Sequence, residues 1–186
     1  MLRIGVTGHR ILVEKENLKD SINAVLYRIS QTFPNREWLF LSSLAEGADC
    51  LIVERALKFS NASLQAVLPL PKDAFFLTFI NDSYREMAKS FLRVAKVKVI
   101  PPQSTTELAY RAAGHYLVKH SDILIAIWDG RPAQGVGGAG EIVELARKQG
   151  KPLAWIKAGN RIPGTNQATT LGTEQGKIIF EHFSFF

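Results

Sequence analysis

The chain has 186 residues, of which 46% are hydrophobic and 22% are charged. This is the length of one domain, and the composition is typical of a globular chain rather than a disordered one. The longest strictly apolar stretch, residues 123–128, is far shorter than the roughly 18 residues of a membrane span, and residues 1–7 lack the apolar segment of a signal peptide. We therefore expect a soluble, non-exported protein.

Cysteine and histidine exclude further classes of protein. A single cysteine, Cys50, rules out an internal disulfide and a cysteine-rich zinc site, so the reducing cytoplasm is the expected location. The histidines follow no metal-ligand spacing. The sequence thus predicts neither a metal site nor a cofactor.

The net charge is +6, from 23 Lys and Arg against 17 Asp and Glu, and it indicates a weak attraction for anions such as phosphate. No run of basic residues concentrates this charge, and no basic segment alternates with aromatic residues. The pattern argues against nucleic acid and membranes as partners and favours a nucleotide or nucleoside-derived small molecule. A homo-oligomer is compatible with it.

Strands and helices alternate along the chain. Apolar runs predict strands at residues 2–7, 38–43, 64–68, 97–100, 123–128 and 152–156. Helical spacing predicts helices at residues 17–33, 49–59, 83–95, 105–119 and 139–149. The segment 73–80 is apolar and ambiguous. This alternation predicts an α/β fold, a three-layer Rossmann-like parallel sheet of about six strands with helices on both faces. We expect the strand order four, three, two, one, five, six.

The character of the chain changes after Lys157. Residues 159–166 are rich in turn formers, and only residues 177–186 are apolar enough to form a further element. We therefore divide the chain into a domain of residues 1–157 and a C-terminal extension of residues 158–186, which packs its phenylalanines on the domain.

Ligands of open parallel sheets bind beyond the carboxyl ends of the strands, where the strand order reverses. Three loops at that edge carry polar or glycine-rich sequence. Their candidate ligand-binding residues are Thr7, Gly8, His9 and Arg10 after the first strand, Ser42, Ser43 and Glu46 after the second, and Asp129, Gly137, Gly138, Ala139, Gly140 and Glu141 after the fifth.

The glycine-rich loop before the last predicted helix is the most specific of the three. Glycines at a helix start let the backbone approach an anion, and the exposed N–H groups favour phosphate there. The loop lacks the lysine of a Walker A motif and the G-x-G-x-x-G spacing of dinucleotide-binding folds. For Glu141 and Glu144, stabilisation of the helix dipole is the structural alternative. His9 and Arg10 can equally cap neighbouring carbonyls, and Arg111 belongs to a polar stripe that is typical of a solvated helix face.

Two of these loops resemble known motifs. Residues 40–57 are similar to the S-G-L-A-x-G-x-D segment of the bacterial DNA-processing (DprA/Smf) proteins, and residues 137–144 resemble the P-G-G-x-G-T-x-x-E signature of the LOG phosphoribohydrolases. Both families belong to the SLOG superfamily, and Thr7 to Arg10 also fits its YpsA-like branch. The resemblance covers residues 1–157 and implies a nucleotide-binding Rossmann-like domain.

The LOG resemblance also implies catalytic residues. Glu144 matches the glutamate of the signature and would orient the ribose or stabilise positive charge at the anomeric carbon. Arg111 is the arginine nearest to the position of the LOG arginine. Two residues depart from the signature: Val136 stands for the proline, and Glu141 stands for a threonine that helps to bind phosphate.

We weigh three functions. The first is a nucleotide-binding protein or sensor without turnover, which the departures at Val136 and Glu141 favour. The second is an enzyme that cleaves an N-glycosidic bond, either a LOG-like phosphoribohydrolase or a nucleoside deoxyribosyltransferase. The third is DNA binding, which the scattered basic residues weaken.

Overall fold

A computed structural model describes residues 1–183 of the chain. The strands are β1 (Leu2–Gly8), β2 (Trp38–Ser42), β3 (Ala62–Leu68), β4 (Lys96–Val99), β5 (Ile123–Trp128), β6 (Leu153–Lys157) and β7 (Ile178–Glu181). The helices are α1 (Lys15–Thr32), α2 (Ala48–Ala56), α3 (Lys72–Leu77), α4 (Asp82–Leu92), α5 (Thr106–His120) and α6 (Ala139–Lys148).

All strands join one sheet in the order β4-β3-β2-β1-β5-β6-β7. Every pairing is parallel except that of β7 with β6, which is antiparallel. The predicted fold class and the predicted order of the first six strands are confirmed. The seventh strand was not predicted, because its four residues are all half-buried and show no clear alternation of apolar and polar side chains. The rest of the apolar segment expected at residues 177–186, with Phe185 and Phe186, lies partly outside the described residues.

Helices cover both faces of the sheet. In β5, Ile123, Ile125 and Ile127 are buried on the face that packs against α1, α2 and α4, and the intervening residues are buried on the opposite face against α6. Successive side chains of a strand point to opposite faces, so a continuous apolar strand is what a sheet covered on both faces requires.

Two helices begin at residues whose side chains cap them. The Thr105 hydroxyl caps α5 by accepting from the Leu108 N–H at 3.2 Å. Asn81 caps α4 in the same manner by accepting from the Ser83 N–H at 2.9 Å. The ambiguous segment 73–80 contains the short helix α3, whose Phe75 is fully buried.

Candidate functional site

A cleft of about 370 Å³ opens where β1 and β5 end side by side. The chain runs outward from β1 to β4 on one side and then crosses back to β5 on the other, so the cleft lies at the point where the strand order reverses. Among the candidate residues, those that line it are Thr7, Gly8, His9, Arg10, Ser43, Glu46, Asp129, Gly137, Gly138, Ala139 and Gly140. Ser42, Arg111, Glu141 and Glu144 are not part of its lining.

Two glycines allow the first and second loops to pack against each other. A Cβ atom at Gly8 would overlap the Ala48 Cβ atom as well as the Ile127 carbonyl oxygen, and one at Gly47 would overlap the carbonyl oxygens of His9 and Arg10. Gly47 also has a φ of 83°, a conformation that glycine adopts at no steric cost. The close approach lets the Ala48 N–H donate to the His9 carbonyl at 3.0 Å.

A hydrogen bond at His9 connects the first loop to the loop after β5. Its ring Nε2 accepts from the Asp129 N–H at 3.0 Å and lies 3.2 Å from the Asp129 Oδ1. A nitrogen that accepts carries no proton, so this bond favours the neutral ring with its proton on Nδ1. Burial lowers the pKa of His9, although the Asp129 carboxylate opposes the shift.

Glu46 holds three segments together from a buried position. Its Oε1 accepts from the Arg10 guanidinium at 3.1 Å, and its Oε2 accepts from the N–H groups of Ile80 and Asn81, each at 3.1 Å. The Glu46 side chain is only 2% exposed, whereas that of Arg10 is 39% exposed. Arg10 also donates to the Thr78 carbonyl at 2.5 Å. Both side chains therefore build the cleft wall as well as line it.

Ser42 is turned away from the cleft into the protein. Its hydroxyl donates to the Asp49 Oδ2 at 3.0 Å and accepts from the Leu44 N–H at 2.9 Å. Asp49, by contrast, lines the cleft. Burial raises the pKa of Asp49 to about 7, against the opposing hydrogen bonds from Ser42, Ala45 and Ser43.

The glycine-rich loop crosses the start of α5 closely and then begins α6. Gly137 has a φ of 75°, and a Cβ atom there would lie 2.8 Å from both the Arg111 nitrogen and the Glu107 carbonyl oxygen. The N–H groups of Gly138, Ala139 and Gly140 donate to no acceptor within residues 1–183. Three free donors at a helix N-terminus thus line the cleft.

Glu141, in the first turn of α6, lies outside the lining of the cleft and binds the N–H group that precedes these donors. Its Oε2 accepts from the Gly137 N–H at 2.9 Å, and its Oε1 accepts from the Arg111 Nε at 2.5 Å. His115 Nε2 lies 3.6 Å from the same Oε1. Burial alone would raise the pKa of Glu141, but these hydrogen bonds and nearby charges outweigh it and hold the pKa below its ordinary value. Arg111 is therefore committed to Glu141 rather than to the cleft.

Glu144 lies one helical turn further along α6, on its exposed side. The side chain is 55% exposed, and its Oε1 is 3.9 Å from the Lys148 ammonium, a weak i,i+4 ion pair. The buried face of α6 is formed by Gly140, Ile142, Val143 and Ala146 instead.

The cleft also includes residues that the sequence analysis did not select. Tyr110 and Glu107 come from α5, and Arg131 and Arg161 come from loops. The guanidinium groups of Arg131 and Arg161 form no ion pair in the part of the chain that the structure describes. In the sequence, the i,i+3 spacing of Glu107 and Tyr110 indicates that both residues lie on one face of α5. Arg161 lies in a turn-rich segment, where no pattern indicates a binding residue.

Two tryptophans support the loop after β5. The rings of Trp128 and Trp155 lie 5.2 Å apart, centroid to centroid. Trp128 Nε1 donates to the Arg131 carbonyl at 2.9 Å, and Trp155 Nε1 donates to the Trp128 carbonyl at 2.8 Å. Arg147 stacks over both rings at 5.3 and 5.6 Å. Trp128 thereby fixes the position of Arg131 at the cleft wall.

No family model and no curated protein matches the chain. The chain is similar to the solved structure of DNA processing protein A from Helicobacter pylori, which has a single-stranded DNA binding mode. The match covers 87% of this chain and 67% of that chain, with 16% sequence identity and a TM-score of 0.55. A second solved structure, the structural-genomics target TM1055, matches 82% of this chain and 72% of its own at 14% identity, with a TM-score of 0.48. The first likeness confirms the DprA-like, Rossmann-like fold that the resemblance implied.

One expectation about partners was wrong. The scattered basic residues argued against nucleic acid, but a protein of this fold has a single-stranded DNA binding mode. The lack of a basic run in the sequence does not decide this question, because residues that are distant in sequence come together on folding. Arg10, Arg131 and Arg161 are distant in sequence, and all of them line one cleft.

Two further features concern residues 1–183. No helix among them is long and apolar enough to cross a membrane. No group of three or more His, Cys, Asp or Glu side chains among them is placed to hold a metal ion.

Proposed function

We propose that this chain binds a nucleotide or a nucleotide-derived ligand in the cleft between β1 and β5 and acts as a sensor or binding protein. The observation that carries the proposal is the set of free N–H groups of Gly138, Ala139 and Gly140 at the start of α6. Such donors, together with the helix dipole, bind phosphate oxygens. The unpaired guanidinium groups of Arg131 and Arg161 add positive charge at the same cleft.

The size and lining of the cleft support a small ligand. A volume of about 370 Å³ lies within the range of small-molecule sites. Tyr110 adds an aromatic side chain to the lining, and the Asp129 and Glu107 carboxylates can accept from a sugar hydroxyl or a base amino group. A ligand that combines a base, a sugar and a phosphate matches this mixture of groups.

The alternative function is cleavage of an N-glycosidic bond, as in LOG-like phosphoribohydrolases or nucleoside deoxyribosyltransferases. Its candidate residues are Glu144 and Arg111. The exposure of Glu144, its pairing with Lys148 and the pairing of Arg111 with Glu141 support binding over turnover. Base release that Glu144→Gln reduces by about 100-fold would instead support the enzyme, because a well-placed charge contributes on the order of 3 kcal/mol to a transition state.

Nucleoside monophosphates of each base and a single-stranded oligodeoxynucleotide test the proposal. Thermal unfolding reports binding, because a ligand that binds only the folded state raises the midpoint, and chromatography of the mixture reports released base. We expect stabilisation without base release. The oligodeoxynucleotide distinguishes a small-molecule site from a DNA site, since a preference for the oligonucleotide would assign the cleft to DNA.

Matched variants connect the binding to the cleft. Arg131→Gln removes an unpaired cationic side chain from the lining and should weaken binding by about tenfold. Arg93→Gln makes the same change at an exposed position outside the cleft and should leave binding unchanged. Equal effects of the two variants, or no stabilisation by any nucleotide, would contradict the proposed function.

We further propose that residues 1–157 form the nucleotide-binding domain and that residues 158–186 are an extension packed on it. The antiparallel pairing of β7 with β6 supports this division. So does Gln175, whose side-chain oxygen accepts from the N–H groups of Gly159 and Leu171 at 2.9 and 3.2 Å. Asn160 and Arg161 line the cleft, so the extension contributes to the proposed site. The buried free thiol of Cys50 supports a cytoplasmic location.

A further inference from the structure

Glu141 places a negative charge next to the N–H groups that would bind the proposed ligand. The Glu141 carboxylate accepts from the Gly137 N–H, and the next three N–H groups along the chain are the free donors of the cleft. A helix N-terminus has donors for a limited amount of negative charge. In this protein the Gly137 N–H already donates to Glu141, a side chain of α6 itself. Part of the capacity of this helix start for negative charge is therefore already used.

We propose that Glu141 makes the cleft select a phosphodiester over a terminal phosphate monoester, an inference that rests on the proposed nucleotide binding. A diester carries a single negative charge, whereas a monoester at neutral pH carries about 1.5 to 2. Both offer oxygens to the N–H groups of Gly138, Ala139 and Gly140. Glu141 does not line the cleft, but its carboxylate is bound to the N–H that directly precedes these donors. The extra charge of the monoester would therefore lie close to this carboxylate, and like charges at close range repel.

The charges of the cleft lining agree with this selection. The arginines of the lining are Arg10, Arg131 and Arg161, and its acidic residues are Glu46, Asp49, Glu107 and Asp129, of which Asp49 has a pKa raised to about 7 by burial. Arg10 is already paired with Glu46. The guanidinium of Arg111 lies outside the lining and pairs with the Glu141 carboxylate. Such a lining suits a monoanion better than a dianion.

A pair of probes that differ in one charge tests the inference. Each nucleoside 5′-monophosphate is compared with its 5′-methyl ester, and calorimetry gives both dissociation constants. We expect the methyl ester to bind about tenfold more tightly, because removal of one repelling charge changes the binding free energy by an amount of that order. A dinucleoside monophosphate and a single-stranded oligodeoxynucleotide then distinguish a small diester ligand from a DNA backbone as the source of the group.

Substitutions at Glu141 assign the preference to this residue. Glu141→Gln keeps an oxygen that can accept from Gly137 and removes the charge, so the preference should fall by about tenfold. Glu141→Thr is a second variant that removes the charge, and it should act in the same direction. Arg111→Gln leaves the Glu141 charge unneutralised and should strengthen the preference. Glu86→Gln removes an exposed carboxylate of α4 and should leave it unchanged.

The outcomes separate the two proposals. Equal binding of monoester and methyl ester, or an unchanged preference in Glu141→Gln and Glu141→Thr, would overturn the selection by Glu141 and leave nucleotide binding intact. Failure of every monoester, methyl ester, dinucleoside monophosphate and oligonucleotide to bind would overturn both. Circular dichroism of each variant confirms that the comparison is made on folded protein.

Discussion

The main-chain N–H of Asp129 donates to the Nε2 of His9, and this bond joins the loops that follow two neighbouring parallel strands. The two residues are 120 positions apart in the sequence. Each loop would otherwise leave a polar group buried without a partner, because both side chains are less than one tenth exposed. The base of the cleft is therefore held by a bond that needs an unprotonated ring nitrogen.

The first prediction concerns this bond and pH. The pKa of His9 is lowered by burial, so below about pH 6.5 the unfolded chain binds more protons at this site than the folded chain. The free energy of unfolding should consequently fall as the pH drops through that value. His9→Gln keeps an acceptor for the Asp129 N–H and does not titrate. Unlike a substitution of His9 by Glu or Lys, it introduces no charge. We expect urea titrations to show a weaker loss of stability in acid for His9→Gln, and a loss equal to that of the unmodified protein would refute the assignment.

Asp49 should show a pH dependence of the opposite sign. Its pKa is raised from 3.8 to about 7 by burial, so between these values the folded chain holds a proton that the unfolded chain has lost. This contribution to stability is complete below about pH 4 and is lost as the pH rises through about 7, with a slope of up to about 1.4 kcal/mol per pH unit. Asp49→Asn should flatten that slope. An unchanged slope in denaturation across this range would contradict the buried, protonated carboxyl.

Glu46 is expected to be the most sensitive carboxylate of the site for stability. Removal of its side chain by Glu46→Ala leaves the N–H groups of Ile80 and Asn81, and part of Arg10, without an acceptor. Unfolding should become easier by about 2–4 kcal/mol, measured by chemical denaturation. Glu86→Ala is the control, since its ion pair with Lys89 is exposed and should contribute about 0.5 kcal/mol or less. Similar losses in both variants would mean that Glu46 does not anchor the cleft wall.

The adjacent glycines of the α6 loop should respond differently to alanine. Gly137→Ala places a Cβ atom against the backbone of α5 in a left-handed conformation and should cost about 1–3 kcal/mol. In Gly138→Ala the nearest atoms to the new Cβ are the Ala133 Cβ at 3.3 Å and the Gly135 carbonyl oxygen at 3.5 Å, so the change should cost about 1 kcal/mol or less. Gly150→Ala controls for conformation alone, because Gly150 has a φ of 63° and open space around it. Equal stability of the Gly137 and Gly138 variants would contradict the close crossing of this loop over α5.

Much of the fold could be predicted because its strands are buried on both faces. Continuous apolar runs such as residues 123–128 leave few alternatives to central parallel strands, and the alternation with helices then dictates the order of the sheet. The edge strand β7 lacks that signal, since half-buried residues carry a mixed pattern. Its place depends on the free edge of β6, which is a property of the folded sheet.

The site was less accessible to sequence reasoning. The loops that line the cleft could be selected from their position after strands, but the direction of each side chain could not. Glu141 and Glu144 differ by three positions on one helix, and only the packing of α6 decides that the first turns to Gly137 and the second to solvent. The direction of Ser42 has the same origin, because its partner Asp49 becomes its neighbour only when α2 forms.

The tryptophan pair beside the cleft makes the protein its own optical reporter. Trp128 lines the cleft and touches Trp155, whereas the third tryptophan, Trp38, is paired with Leu2 at the opposite end of the sheet. Occupancy of the cleft should therefore alter the emission of two indoles and leave the third as an internal reference. In a Trp38→Phe background, the intrinsic fluorescence would follow ligand exchange in real time without any attached dye.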